Sequence, residues 1–305
     1  MTGIYEGRGR TVAITGASGM IGSALARALA ADGVRVLRVG RRAGASTDIR
    51  WDPAAGSIDA AALDGVDAVV HLAGESIASG RWTRARMQRI RESRTGGTAL
   101  LARTLAGLDR VPAVLVSASA VGIYGDRGDE LLTETSRPGS GFLPEVAVGW
   151  EASAEPARAA GIRVVHPRFA AVLSRSGGVL DRLLLPFRLG LGGPIGRGTQ
   201  WMPLVSLDDA VGAIRHLAGT PGLSGPFNVS LPTPVTNAEF AHALGRALHR
   251  PAVLPVPPAA LRLAYGQLAD ELLIASARVV PAALEASGFR FQHPTLRAAL
   301  EAALA

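Results

Sequence analysis

The chain lacks two residue types whose chemistry would widen the choice of function. Its 305 residues include no cysteine, which excludes disulfides, thiolate metal sites and cysteine nucleophiles. They also include no lysine, so all 32 basic residues are arginine. Schiff-base chemistry, the phosphate-binding lysine of a P-loop and a tyrosine–lysine proton relay are therefore excluded.

Aromatic residues and long apolar runs are also scarce. Aromatics make up 5% of the chain and the arginines are scattered, so the net charge of +7 does not indicate a nucleic-acid partner. No uncharged apolar run reaches the ~18 residues of a membrane span, and the first ten residues contain no apolar signal region. The six histidines show no metal-ligand spacing. We expect a cytoplasmic protein with no nucleic-acid, membrane or metal partner.

Short apolar runs alternate with helix-forming segments along the first half of the chain. The predicted strands cover residues 11–14, 34–39, 67–72, 113–117 and 163–166. This alternation predicts an α/β fold, a Rossmann-type doubly wound parallel sheet with a smaller C-terminal α/β substrate lobe. The predicted Rossmann domain covers 11–175, with 204–230 returning to it, and the substrate lobe covers 176–203 and 231–305.

The strongest motif is the glycine-rich turn Thr-Gly-Ala-Ser-Gly-Met-Ile-Gly at residues 15–22, between the first strand and the first helix. Gly16 permits a tight turn, Gly19 lets the backbone approach a pyrophosphate, and Gly22 lets the helix pack closely on the sheet. The position of the turn favours dinucleotide binding over a merely structural turn. The predicted cofactor contacts in it are Gly16, Ser18, Gly19, Met20, Ile21 and Gly22.

The end of the second strand predicts which dinucleotide is bound. An NAD site places an acidic residue there for the ribose hydroxyls, whereas this strand ends in Gly40-Arg41-Arg42 and the nearest acids, Asp32 and Asp48, lie off its end. Arginine binds a 2′-phosphate with charge-assisted hydrogen bonds. The sequence therefore favours NADP, and the alternative is a solvated basic loop.

The turn and several later motifs resemble the extended short-chain dehydrogenase/reductase superfamily. The matching residues are His71-Leu72-Ala73-Gly74, Ser117-Ala118-Ser119, Tyr124-Gly125, Arg168, Asp209 and Phe227-Asn228-Val229. More narrowly, the chain is similar to a family of nucleoside-diphosphate-sugar epimerase-like proteins. This narrower similarity rests on the run at 185–196, on Trp51-Asp52-Pro53 and on Trp150-Glu151.

The resemblance implies that the Rossmann domain holds NADP and that a C-terminal lobe covers a substrate cleft. It places Gly40 and Arg41 at the adenosine ribose phosphate, and Val172 near the nicotinamide. The further cofactor-binding residues that it implies are Arg42, Leu72, Ala73, Gly74, Arg94 and Ser117.

The catalytic signature departs from the superfamily. Counting from Glu151, Leu143 and Ala147 stand where the resemblance implies a tyrosine and a lysine. Ser119 remains as a hydrogen-bonding partner for the substrate oxygen. Tyr124 is a candidate replacement acid.

A tyrosine with a pKa near 10 is a poor base at neutral pH, so a basic neighbour, Arg168 or Arg94, would have to lower it. The alternative is that Tyr124 packs against the cofactor. Glu145 and Glu151 are other candidate bases, although the alanine-rich helix favours interpreting Glu151 as a solvated or capping residue.

The substrate side departs as well. Counting back from Asp209, Met202 occupies the place of an arginine that binds a substrate pyrophosphate in sugar-nucleotide enzymes of the superfamily. Arg197 in the glycine loop could substitute for it, or could be a solvated loop arginine. With Arg168, it is the candidate substrate contact. Asp209 is interpreted as the N-cap of the following helix.

Two functions follow from these patterns. The first is an NADP-dependent oxidoreductase or epimerase-like enzyme that acts on a small polar, carbonyl or sugar-nucleotide-like molecule without the Tyr-x-x-x-Lys pair. The alternative is a non-catalytic NADP(H)-binding sensor or regulatory protein. Either could be a homodimer.

We expect the substitution Arg41→Asp to weaken NADPH binding by about tenfold or more, because a hydrogen bond to a charged group contributes ~1.5–3 kcal/mol. Isothermal titration calorimetry with NADPH and NADH measures the effect. Equal affinity of the unmodified protein for the two coenzymes would contradict the assignment.

Overall fold

The computed structural model describes residues 9–41, 47–175 and 177–305. Its strands are β1 (Thr11–Thr15), β2 (Arg35–Gly40), β3 (Ile49–Asp52), β4 (Ser57–Ile58), β5 (Ala68–His71), β6 (Val114–Ser117), β7 (Ser119–Ala120), β8 (Leu131–Leu132), β9 (Arg163–Phe169), β10 (Ala171–Ser174), β11 (Leu204–Ser206), β12 (Gly225–Val229) and β13 (Arg278–Val279). Its helices are α1 (Met20–Ala31), α2 (Arg84–Ala106), α3 (Phe142–Ala152), α4 (Glu155–Ala159), α5 (Gly178–Arg188), α6 (Leu207–Gly219), α7 (Asn237–Ala247), α8 (Pro258–Tyr265), α9 (Ala282–Ala286) and α10 (Leu296–Leu304).

A large central sheet organises the described residues. Its strand order is β12-β9-β6-β5-β1-β2-β3-β4, with β7 also beside β9. All of its paired strands are parallel except β3 and β4. The chain runs outward from β1 through β2 and then returns to the other side of β1 as β5, which makes a topological switch point at the carboxyl ends of these strands. This arrangement confirms the predicted Rossmann-type α/β class.

The central strands are buried on both faces because helices cover both. Along β5 and β6 every residue is buried, and successive side chains point to opposite faces. Val70 and Val116 join the core under α1 and α6, whereas Val69 and Leu115 join the core under α2 and α4. The apolar runs of the sequence therefore correspond to strands with two buried faces.

The C-terminal part forms smaller units around a core of its own. Strands β10 and β11 form a parallel pair separate from the main sheet, as do β8 and β13. Helices α5, α7 and α10 contribute Leu180, Phe240 and Leu300 to this third core. Of the segment 204–230, β12 lies at the edge of the main sheet and β11 lies outside it. The division into two lobes remains an interpretation, and the β3–β4 hairpin was not predicted.

The interpretation of Asp209 as the N-cap of α6 is wrong, because the helix begins two residues earlier, at Leu207. Ser206 is the N-cap, and its Oγ accepts a hydrogen bond from the Asp209 N–H at 3.0 Å. The buried Asp209 carboxylate instead accepts the N–H groups of Gln292 and His293, at 2.6 and 3.1 Å. It thereby fastens the C-terminal segment to α6.

We expect Asp209→Ala to lower the free energy of unfolding by about 3 kcal/mol, because two partly buried backbone N–H groups lose their acceptor. The matched control is Asp208→Ala, whose exposed carboxylate forms an ion pair with His293; its effect should stay below about 1 kcal/mol. Urea denaturation followed by circular dichroism measures both, and equal losses would contradict this assignment.

Candidate functional site

The glycine-rich turn is packed so tightly that side chains are excluded from it. Gly16 has a φ of +69°, and a Cβ atom there would lie 2.9 Å from the Ala73 nitrogen. A Cβ atom at Gly22 would lie 2.2 Å from the Gly16 carbonyl oxygen. The turn therefore touches both the chain after β5 and the first turn of α1, as a dinucleotide-binding crossover requires.

The N-terminus of α1 fits a phosphate group. Gly19 is its N-cap and makes no side-chain capping hydrogen bond, and the first turn contains no acidic residue. The first N–H groups of a helix have no partner within the helix and carry its positive dipole end. Because the turn leaves the backbone uncovered there, the pyrophosphate of a dinucleotide fits this position.

A buried hydrogen-bond chain holds the turn against the loop after β5. The Thr15 Oγ1 atom accepts the N–H groups of Leu72 and Ala73, at 3.1 and 3.2 Å. Both of its lone pairs are then used, so its proton is donated to Nδ1 of His71 at 2.7 Å. His71 must carry its own proton on Nε2, which donates to Thr98 Oγ1 at 3.0 Å. The chain links β1, β5 and α2.

His71 is neutral in this chain. It is fully buried, and burial lowers its pKa to about 4. Trp51 packs edge-on against its ring, with centroids 5.7 Å apart. His71 is therefore a core residue that fixes the position of Leu72 and Ala73, two of the cofactor-binding residues that the resemblance implies.

Arg94 lies beside the same loop. Its Nη1 donates to the Glu75 carbonyl oxygen at 2.9 Å, and its guanidinium lies 5.0 Å from the Trp150 ring centroid. A Cβ atom at the exposed Gly74 would be 3.4 Å from the Arg94 Cζ atom. Burial lowers the pKa of Arg94 to about 10, so it stays charged at neutral pH. The predicted cofactor residues Gly74 and Arg94 are thus neighbours.

The end of β2 carries an exposed arginine and an acid that is already hydrogen-bonded. Arg41 is exposed directly after Gly40, whereas Arg42 lies outside the described residues. The carboxylate of Asp48 accepts the Arg38 N–H at 2.7 Å. The nearest acid is therefore tied to the backbone of β2, an arrangement that suits a 2′-phosphate better than free ribose hydroxyls.

The buried Ser119 and Arg168 form a cluster with the partly buried Glu151 at the carboxyl edge of the sheet. Ser119 Oγ donates to Glu151 Oε1 at 2.6 Å. Arg168 donates to both carboxylate oxygens, from Nε at 2.8 Å and from Nη2 at 2.9 Å. Burial alone would raise the pKa of Glu151, but the hydrogen bonds and charge of Arg168 hold it below its usual value. The interpretation of Glu151 as solvated or capping is wrong.

Arg168 is not free to bind substrate as the sequence suggested. Arg168 is 6% exposed. Its remaining Nη1 group donates to the Tyr124 hydroxyl at 3.0 Å and to the Glu134 carbonyl oxygen at 3.3 Å. Although burial opposes its charge, the hydrogen bonds and charge of Glu151 raise its pKa above the ordinary value. The Arg168 donors therefore point into the protein, where two of them stabilise the charge of the Glu151 carboxylate.

Tyr124 is near Arg168, but its pKa does not shift in the direction that an acid–base role required. The residue is fully buried, and its hydroxyl lies 2.7 Å from Asn228 Oδ1 and 3.0 Å from the Thr133 carbonyl oxygen. Burial raises the pKa of Tyr124 although Arg168 acts in the opposite direction. The expectation of a lowered pKa is corrected, and the hydroxyl fastens three segments together.

Helix α3 carries the two positions where the resemblance implies the tyrosine and the lysine. Leu143 lies against Gly122, where a Cβ atom would be 3.7 Å away, and Ala147 is buried. Sequence reasoning missed Glu271, whose carboxylate accepts the N–H groups of Phe142 and Leu143, at 3.1 and 2.8 Å. Because Glu271 lies 128 residues beyond Leu143, no local pattern could have revealed this helix cap.

The other predicted site residues are distributed around this edge. Val172 is buried on β10. A Cβ atom at Gly178 would lie 2.9 Å from the Val172 carbonyl oxygen and 3.6 Å from Met20 Cε. Gly178 therefore lies between β10 and the glycine-rich turn. Ser117 is buried at the end of β6, and its Oγ has no hydrogen-bond partner among the described residues. Arg197 is exposed in its loop. The roles of these residues remain predictions.

The fold and these motifs coincide with a known family. The model of the NAD dependent epimerase/dehydratase family matches residues 12–230, and a domain of unknown function (DUF1731) matches residues 256–303. The chain belongs to the NAD dependent epimerase/dehydratase family. It is 47% identical to the epimerase family protein Mb2239 of Mycobacterium bovis over 290 residues, which cover 95% of this chain and 96% of that protein. The resemblance to extended short-chain dehydrogenases is thus confirmed.

Two solved structures are similar to this epimerase-family chain. The human epimerase family protein SDR39U1, crystallised with NADPH, is 34% identical with a TM-score of 0.87, over 96% of this chain and 99% of the human one. A nucleoside-diphosphate sugar epimerase from Corynebacterium glutamicum is 36% identical with a TM-score of 0.79, over 97% of this chain and 58% of that chain. Within the described residues, no helix is both long and apolar enough to cross a bilayer.

We expect the stability of the protein to fall between pH 7 and pH 4 by about 3 kcal/mol on account of His71 alone. Its folded pKa, about 4, lies below the value of ~6.5 in the unfolded chain. On acidification the unfolded state takes up the proton first, so the contribution is complete above pH 6.5 and is lost as the pH falls towards 4.

The measurement is urea denaturation across this pH range for the unmodified protein and for His71→Asn. The variant is expected to be less stable at pH 7 but to lose about 3 kcal/mol less on acidification. Parallel pH curves would show that His71 is already protonated in the folded protein, or that it is not buried.

Proposed function

We propose that this chain binds NADP(H) at the carboxyl edge of its sheet and uses it for hydride transfer with a small carbonyl- or hydroxyl-bearing substrate. The observation that carries the proposal is the glycine-rich turn, whose close packing and bare α1 N-terminus fit a pyrophosphate. The prediction of NADP agrees with the NADPH bound in the crystal structure of SDR39U1. Arg41 would hold the 2′-phosphate, because it is the exposed cation at the end of β2.

The bound coenzyme would supply the hydride, and the protein would supply position and polarity. Thr15 and His71 hold Leu72 and Ala73, along which the coenzyme would lie. Ser119 would meet the substrate oxygen. Because its proton is donated to Glu151, its oxygen is oriented to accept a hydrogen bond. This orientation suits a substrate hydroxyl better than a carbonyl.

A second candidate function is a non-catalytic NADP(H)-binding sensor, and the burial of the polar groups favours it. Ser119 is 2% exposed and Tyr124 is fully covered. Leu143 and Ala147 offer no proton at the positions where the superfamily has its tyrosine and lysine. A protein that binds the coenzyme but presents no proton donor would report the NADPH level without consuming it.

Stopped-flow measurement of NADPH oxidation and NADP reduction, against a panel of carbonyl compounds, alcohols and sugar nucleotides, separates the two candidates. If the chain is an enzyme, Ser119→Ala should lower the rate by about a hundredfold, the usual range for losing one group positioned to hydrogen-bond the reacting oxygen, without changing the affinity for NADPH. Ser57→Ala, an exposed serine on β4, is the matched control.

Turnover that survives Ser119→Ala unchanged would refute the role of Ser119. Tight NADPH binding with no turnover across the whole panel would instead establish the sensor. The absence of NADPH binding would refute both candidates.

A further inference from the structure

Five aliphatic side chains stand out from the surface of the C-terminal part. They form what we name the aliphatic patch: Leu185, Leu189, Leu191, Val253 and Leu254, which are between 49% and 69% exposed. Single exposed aliphatic residues are common, but a contiguous group of this size marks an interaction site in a folded protein.

The five residues are contiguous because their two segments run side by side. The Leu254 N–H donates to the Gly192 carbonyl oxygen at 3.4 Å. The guanidinium of Arg250 donates to the Arg188 carbonyl oxygen at 3.0 Å. A Cβ atom at Gly193 would collide with the Leu254 carbonyl group at 2.0 Å, so only glycine permits this approach. Residues 188–193 and 250–254 therefore form one surface.

The outer face of helix α5 carries exposed aliphatic side chains beside charged ones. Leu180, Leu184 and Phe187 are buried in the core beneath it, while Leu185 projects outward and Leu189 follows one turn later. The same face presents the charged residues Asp181, Arg182 and Arg188 to solvent, as a surface helix normally does. Leu185 and Leu189 stand beside these charges and are not covered by any described residue.

The surroundings of the patch are positively charged. Segments 178–193 and 245–256 contain four arginines and one carboxylate, Asp181, which gives them a net charge of +3. Three of these arginines, Arg188, Arg246 and Arg250, are exposed and form no ion pair with any described residue. The patch thus combines protruding aliphatic groups with unneutralised guanidinium groups.

We propose that the aliphatic patch docks this protein onto an anionic lipid surface, with the leucines entering the acyl boundary and the arginines binding lipid phosphates. Side chains this exposed protrude rather than line a groove, which suits a bilayer better than a peptide. A two-fold contact between two copies of the chain would bring like-charged arginines together, which disfavours a second copy. Guanidinium groups and anionic headgroups are complementary in charge. The proposal is independent of the proposed enzymatic function.

The test is co-sedimentation of the purified full chain with vesicles of phosphatidylcholine containing about 30% phosphatidylglycerol, compared with pure phosphatidylcholine. We expect binding to the anionic vesicles only, and weaker binding when NaCl rises from about 0.05 M to about 0.5 M. The double variant Leu185→Ser/Leu189→Ser should reduce binding by about tenfold or more. Arg188→Gln and Arg250→Gln should each reduce it by about fivefold.

The matched control is Leu131→Ser, a leucine that is 52% exposed on β8, outside the patch; it should bind as the unmodified protein does. Thermal unfolding and NADPH titration verify that every variant is folded. The proposal is overturned if anionic vesicles are not bound, or if binding is insensitive to both the leucine and the arginine changes. It is also overturned if sedimentation velocity shows a dimer that Leu185→Ser/Leu189→Ser dissociates, because a second copy would then cover the patch.

Discussion

The close approach of the glycine-rich turn to the chain after β5 is the constraint on which the site depends. Gly16 leaves no room for a side chain against Ala73, and the Thr15 hydroxyl accepts hydrogen bonds from two N–H groups of the same loop. That hydroxyl can accept two N–H groups only because His71 takes its proton, and His71 can do so only while it is neutral. Burial keeps His71 neutral. The packing of the sheet therefore also fixes the geometry of the dinucleotide site.

The second constraint is the Glu151–Arg168 ion pair. A carboxylate removed from water needs a cationic partner that hydrogen-bonds to its oxygens. Arg168 donates one hydrogen bond to each carboxylate oxygen of Glu151. The same pair engages Ser119 on one side and Tyr124 on the other. The polar groups nearest to the expected reaction centre are therefore hydrogen-bonded to one another. Because the chain also lacks lysine, this arrangement contains no tyrosine–lysine proton relay.

Much of the fold could be predicted because it rests on local patterns. Short apolar runs predicted the central strands, and the order of strands and helices predicted a parallel sheet. Side-chain partners could not be predicted in the same way. The resemblance makes Tyr124 and Arg168 candidates for catalysis and substrate binding, yet both side chains point into the protein. The short strands β3 and β4 were missed because they pair at the sheet edge, where neither length nor a continuous apolar run marks them.

By itself the sequence determined which chemistry is excluded and where a dinucleotide is expected to bind, because missing side chains and glycine spacing do not depend on tertiary contacts. Only the tertiary structure decided which polar groups form hydrogen bonds with one another inside the protein. Glu271 reaches α3 from 128 residues away, and Asp209 fastens a segment that lies 83 residues further along the chain. A hydrogen bond forms between groups that folding brings within about 3 Å, and no pattern of neighbouring residues records which distant groups those will be.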